Sequence, residues 1–269
     1  MSDQVPTRRG LVALDVDGTI LHHDGTLSPA VRSAVRETAA VANVVVATGR
    51  SLLATVPVLA ELGLSTGYAV CSNGAVTLAI DESEPAGYRI IDTVTFDPAP
   101  ALSLLQDAWP DAVVAVEELG VGFKLSAPFP DGELTGELRV VPWEELMADP
   151  CTRVTFRSPT GTAADFMDLV ERIGLHGVNY AVGFTAWLDI NPEGVSKGSA
   201  LELVRRRLQV EPIDTVAVGD QRNDLEMLHW AARGVAMGNA PAEVQAAADE
   251  VAGPVWEDGL VPVLRSLHG

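Results

Sequence analysis

Leu11-Val12-Ala13-Leu14-Asp15-Val16-Asp17-Gly18-Thr19 decides how the rest of the chain is read. The four apolar residues follow the polar leader MSDQVPTRRG and read as a short buried strand, the first of an open parallel sheet. Ligands of such sheets sit beyond the carboxyl ends of the strands, which is where Asp15 falls. Asp17 lies two residues on, and a continuing strand would point both carboxylates the same way. Two close carboxylates repel unless a cation lies between them or one holds a proton. Gly18 permits a sharp turn with positive φ. Taken alone, the pentapeptide Asp15 to Thr19 also reads as an acidic turn after a strand.

The chain around it has 269 residues, of which 47% are apolar and 20% charged, an ordinary globular composition. A net charge of −19 argues against partners bound through clustered Lys and Arg, namely nucleic acid and anionic membrane surfaces. Cys71 and Cys151 are too few for a disulfide framework and read as small core residues. No apolar leader segment and no run of 18 apolar residues occurs, so a cytoplasmic protein is expected. A monomer is the default expectation. Only Lys124 and Lys197 among the 18 basic residues are Lys. A chain that otherwise uses Arg marks each Lys as a candidate for a role Arg cannot fill.

Along the sequence, Ser28-Pro29 starts a helix to about residue 40. A β-branched strand follows over 41–47, and Ser51 caps a helix that Gly63 ends. A third strand covers 68–71 and closes at Ser72-Asn73-Gly74. Strand, helix, strand, helix, strand predicts a parallel α/β sheet with right-handed crossovers. The pattern then changes to short strands at 76–80, 88–93, 112–117, 121–125, 152–157 and 177–181, with helices near 98–108, 143–147 and 162–173. Parallel order resumes with a helix from Ser196 to about 208, a strand at 215–218, a helix at 223–232, a strand at 234–237, and helices at 242–248 and 260–267. The expected fold is therefore α/β, a Rossmann-like doubly wound core over 1–83 and 187–269 with an inserted α+β domain over 84–186.

Polar residues recur at the ends of the parallel strands: Asp15 and Asp17, Thr48, Asn73, and Asp220 with Asp224. Lys197 joins them from the first turn of a helix, where the helix dipole opposes a cation. A neighbouring carboxylate or an anionic ligand would offset that penalty. The four aspartates make an oxygen-rich set that suits Mg²⁺. Thr48, with Gly49 and Arg50 after it, suits a phosphate oxygen; it also reads as a strand-ending cap. Asn73-Gly74 reads either as a turn or as a substrate contact, and Arg50 as a surface residue or an anion ligand. His22 and His23 read as loop residues, and Arg205-Arg206-Arg207 as a solvated helix face.

Four ordered segments resemble the motifs of the haloacid dehalogenase-like (HAD) superfamily: DVDGT at 15–19, Thr48 in VVVATGR, Lys197 in GVSKGSAL, and GDQRNDLEM at 219–227. The long insertion is similar to the type C2B cap of Cof-like IIB sugar phosphatases, as are SNGA at 72–75 and EDGL at 257–260. The resemblance implies a phosphatase for a small phosphomonoester. It implies Asp15 as nucleophile, Asp17 as general acid and base, and Thr48 and Lys197 as phosphoryl ligands. Gly49, Arg50 and Asn73 would join them at the substrate. Mg²⁺ would be held by the Asp15 carboxylate, the Asp17 carbonyl, Asp220 and Asp224, with Asn223 behind them. Cap residues, Lys124 among the candidates, would read the leaving group. A phosphomutase, a receiver-type signalling domain and a non-catalytic metal- or phosphate-binding protein are the competing readings.

Overall fold

The computed structural model describes residues 10–158, 162, 178–182 and 187–268. The chain runs β1 (Leu11–Leu14), α1 (Pro29–Val41), β2 (Asn43–Ala47), α2 (Leu52–Leu62), β3 (Thr66–Cys71), β4 (Val76–Asp81) and β5 (Tyr88–Thr93). It continues through α3 (Ala99–Ala108), β6 (Val113–Glu118), β7 (Gly122–Leu125), β8 (Glu137–Val140), α4 (Trp143–Leu146), β9 (Val154–Arg157), β10 (Val178–Val182) and β11 (Trp187–Pro192). The last part is α5 (Lys197–Leu208), β12 (Thr215–Gly219), α6 (Leu225–Trp230), β13 (Arg233–Ala236), α7 (Ala242–Ala247), β14 (Glu250–Val251) and α8 (Leu260–Arg265).

Among the described residues the core sheet has the order β14-β13-β12-β1-β2-β3-β4-β5. From β14 to β3 its strands are parallel; β4 and β5 add an antiparallel edge. The chain winds outward from β1 in both directions, so the switch in strand order falls beside β1. Both faces are covered, which is why β1 is an unbroken apolar run. Val12 and Leu14 pack with α1, α2 and α8, whereas Leu11 and Ala13 pack with α5 and α6. Local signals match the boundaries. Ser28 and Ser51 cap α1 and α2, and Gly63 ends α2 in the left-handed conformation at φ 74°.

The second sheet has the order β10-β11-β9-β6-β7-β8, antiparallel except for the pair β7–β8. Strict alternation sorts its two faces. Val114, Val116, Val154, Phe156, Leu188 and Ile190 pack under α3 and α4. The intervening Glu117, Arg153, Thr155, Asp189 and Asn191 lie on the other face and are also buried.

Two expected boundaries change. β5, expected in the inserted domain, is the edge of the core sheet, because its residues pair with β4. β11, expected in the core, pairs with β9 and β10 and belongs to the cap sheet. The cap sheet thus starts after residue 93 and ends at 192 rather than spanning 84–186. Both segments read as strands in the sequence, but only hydrogen-bond partners say which sheet they join. The helix expected over 162–173 lies, but for residue 162, outside the described residues.

Candidate active site

β1, β2 and β12 are in register, with Leu14 opposite both Val46 and Val218. The residues just past their ends therefore come together. Asp15, Thr48, Asp220 and Asp224 are buried there with Lys197. The strand does not continue through Asp17. The chain turns after Asp15, and Gly18 takes φ 86°. A Cβ at Gly18 would sit 2.3 Å from Asp220 Oδ2, so glycine is required both for the turn and for the approach of the aspartate.

Lys197 is the first residue of α5 and is fully buried. Ser196 caps the helix, and Ser199 reciprocates, which fixes the entry angle of the chain. Lys197 Nζ donates to Asp15 Oδ1 and Asp224 Oδ1, each at 2.6 Å. The other Asp224 oxygen accepts the backbone N–H groups of Asp220 and Gln221, both at 2.8 Å. Asp224 lies in a 3₁₀ turn, Arg222–Asp224, just before α6 rather than inside it. Asp220 is held by Asn239 Nδ2 at 3.0 Å and Gln221 Nε2 at 2.9 Å, with Thr19 Oγ1 at 3.4 Å.

These neighbours set the charge states. Burial, then the Asp224 charge, raises the Asp15 carboxyl well above its usual range, and Lys197 only partly opposes this. Burial and Asp224 push Asp220 up to about 7. Burial by itself would lower the Lys197 ammonium, but Asp15 and Asp224 more than offset it and hold it charged. Three buried carboxylates face one ammonium, and oxygens of Asp15, Asp220 and Asp224 lie within 4.8 Å of one another. Uncompensated buried charge of this kind is costly. An all-oxygen, doubly deficient set fits a hard divalent cation.

The remaining expected residues occupy other places. Asp17 is more than half exposed, and its two oxygens accept from Arg50 Nη2 at 2.6 Å and Nε at 2.8 Å. Arg50 thus holds Asp17 rather than standing free for an anion, and the Asp17 hydrogen bond raises the Arg50 guanidinium further. Thr48 Oγ1 accepts the Arg50 N–H at 3.1 Å. Asn73 has φ 53° and is engaged on every side by protein. Its amide donates to Asn191 at 3.2 Å and Asp189 at 3.4 Å, and its carbonyl accepts from Asn223 at 2.9 Å. Lys124 pairs with Asp149 at 3.2 Å and lines a cavity of about 330 Å³ with Glu145, Thr93 and Thr95. Cys71 and Cys151 are buried thiols, both pushed up to about 12 by burial.

Several residues of the network were not anticipated: Thr19, Asn239 and Gln221 around Asp220, and Arg153, Glu117, Asp189 and Asn191 on the cap. The cap residues left a trace in the alternation of Leu188-Asp189-Ile190-Asn191. Polar residues there alternate with core residues in a strand whose second face is also buried. Asn239 lies past the end of β13 and has no motif to announce it.

Comparison with known proteins accords with this geometry. The family profile described as haloacid dehalogenase-like hydrolase matches residues 12–108 and 151–264. The phosphoglycolate phosphatase of Natronomonas pharaonis is 30% identical over 254 residues, covering 94% of this chain and 95% of its own length. The HMP-PP phosphatase of Serratia proteamaculans is 29% identical over 239 residues, 86% and 84% of the two chains. The HAD subclass IIB sugar phosphatase BT4131 shares the fold, with a TM-score of 0.80 at 21% identity over 96% of this chain and 99% of its own. The chain belongs to the haloacid dehalogenase-like hydrolase family. Within it, the chain is a phosphoric monoester hydrolase, and its fold includes a cap domain. No helix among the described residues is long and apolar enough to cross a membrane.

Proposed function

We propose that the protein is a Mg²⁺-dependent phosphatase that hydrolyses a small phosphomonoester, a sugar phosphate or related metabolite, through an aspartyl phosphate on Asp15. The observation that carries this reading is the Lys197 ammonium, fully buried and 2.6 Å from both Asp15 and Asp224. A carboxylate attacks a phosphate dianion only where the repulsion between them is screened. Asp15, the Asp17 carbonyl, Asp220 and Asp224 would hold Mg²⁺, which neutralises phosphoryl oxygens when bound.

The chain's own residues do the rest. An Asp15 oxygen attacks phosphorus in line, the bond to the leaving oxygen breaks, and the Asp17 carboxyl gives that oxygen its proton. Asp17, now a carboxylate, takes a proton from water. The water oxygen attacks phosphorus, the bond to Asp15 breaks, and inorganic phosphate leaves. Thr48 and Lys197 hold the transferring phosphoryl throughout. Asp17 must exchange its Arg50 contacts for the leaving oxygen and take up a proton from solvent as it does so, and its exposure leaves room for both. The names of the relatives favour water over a second sugar as acceptor.

The test is phosphate release from a panel of phosphomonoesters with Mg²⁺, on wild type and Asp15→Asn together. Release by wild type alone is expected. Equal release by Asp15→Asn removes Asp15 as nucleophile, and release by neither turns the reading toward transfer or binding.

A further inference from the structure

Arg153 comes from the cap, immediately before β9, and is buried to 4% exposure. On its face of the sheet Glu117 Oε2 lies 3.5 Å from its Nε, and Asp189 Oδ2 lies 3.8 Å from its Nη1. Arginine placed only to form an ion pair meets a carboxylate fork to fork at about 2.7–2.9 Å. Here Nε has no hydrogen-bond partner among the described residues. The guanidinium instead spends Nη1 on the backbone carbonyl of Gly49, in the core. The two carboxylates neutralise the charge, and they are satisfied by others. Glu117 accepts from Ser72 at 2.7 Å and Thr152 at 3.2 Å, and Asp189 from Thr155 at 2.8 Å and Trp187 at 3.0 Å.

The Gly49 carbonyl and the Arg50 N–H are the two ends of one planar peptide unit. The Arg50 N–H donates to Thr48 Oγ1. One peptide plane is thus held from the cap at its oxygen and bound to the Thr48 hydroxyl at its nitrogen. A hydroxyl that accepts this N–H directs its single proton elsewhere, toward a phosphoryl oxygen in the site. The other cap contacts reach the neighbouring loop: Glu117 and Asn191 bond Ser72, and Asn191 and Asp189 bond Asn73.

We infer that Arg153 is a positioning residue: from the cap it orients the Gly49–Arg50 peptide, and through it the Thr48 hydroxyl, so that phosphoryl transfer depends on the seating of the cap. This rests on the reading of Thr48 as a phosphoryl ligand. It assigns Arg153 no contact with the leaving group.

The test compares wild type, Arg153→Lys and Arg153→Met on p-nitrophenyl phosphate and on ribose 5-phosphate, whose leaving groups share no chemistry beyond the ester oxygen. A small misplacement of the reacting groups costs up to about 10²-fold in rate. Arg153→Met is expected to lose kcat by about that factor, equally for both esters, with KM nearly unchanged, and Arg153→Lys to recover part of it. Hydrogen exchange at residues 48–52 should speed up in Arg153→Met without ligand, while exchange in β12 stays as in wild type. Arg153→Met/Glu117→Gln keeps the net charge of the cluster and serves if the single variant does not fold. A loss confined to one ester would make Arg153 a reader of the leaving group and overturn the inference. Unchanged kcat and unchanged exchange at 48–52 would overturn it too. If wild type hydrolyses no phosphomonoester, the phosphatase reading fails by itself, and the exchange measurement still decides whether Arg153 orders the loop.

Discussion

At the scale of the residue, the site turns on what a single ammonium can do that a guanidinium cannot. Lys197 Nζ lies between Asp15 and Asp224, fully buried, and donates to both carboxylates. A guanidinium is planar, larger, and fixed in its donor directions. Lys197→Arg is therefore expected to keep the charge and still lose kcat by about 10²–10³-fold, the range seen when one preorganised charge-stabilising donor is removed. Steady-state phosphate release checks this, and near-normal turnover would take Lys197 out of the transition state. The choice of Lys in an Arg-rich chain was the sequence's sharpest pointer to this position, and the burial agrees with it. Arg50 shows where residue-level reading stops. Its type suits a phosphate and a carboxylate equally well, and only the folded backbone brings Asp17 within 2.6 Å.

At the scale of the element, legibility followed locality. Ser28-Pro29, Ser51 with Gly63, and Ser196 are caps written within a few residues, and the helices begin and end where those signals stand. Strand positions were equally local, but sheet membership was not. β5 and β11 exchange places relative to expectation: β5 turns back on β4 at the core edge, whereas β11 joins β9 and β10 in the cap, and neither choice is written in the strand's own residues. The polar face of the cap sheet was hidden for the same reason: Asp189 and Asn191 look solvent-facing until the core is placed against them. The capping box of α5 provides an element-scale prediction, because the same turn that starts the helix aims Lys197. Ser196→Ala removes the acceptor for the Ser199 N–H, 3.2 Å away, and should lower stability by about 1 kcal/mol. For a chain of this size that is a Tm lower by roughly 2–4 °C. Thermal unfolding measures it, and an unchanged Tm would mean that packing on α6, not the cap, holds the start of α5.

At the scale of the whole molecule, the buried acidic cluster links stability to both pH and metal. In the unfolded chain Asp15 and Asp220 ionise near 3.8; in the fold Asp15 lies well above that value, and Asp220 lies at about 7. Between those values the folded protein keeps protons that the unfolded chain has released, so unfolding gains as pH rises. The destabilisation is absent below about pH 4 and is complete, for Asp220, once the pH passes about 7. A divalent cation held by the ionised carboxylates removes the reason for those protons and competes with them, so it binds better at high pH. Binding to the folded state alone stabilises by about 2.7 kcal/mol at a hundred times Kd. In EDTA the Tm is therefore expected to fall between pH 5 and pH 8, and Mg²⁺ should raise it by more at pH 8 than at pH 5. Asp220→Asn, with no charge to bury, should flatten the metal-free fall and weaken the Mg²⁺ shift. Turnover measured on the same samples should vanish in EDTA and return with Mg²⁺. A metal-free Tm that does not fall over this range, or a Mg²⁺ shift that survives in Asp220→Asn, would place the cation somewhere other than between Asp15, Asp220 and Asp224.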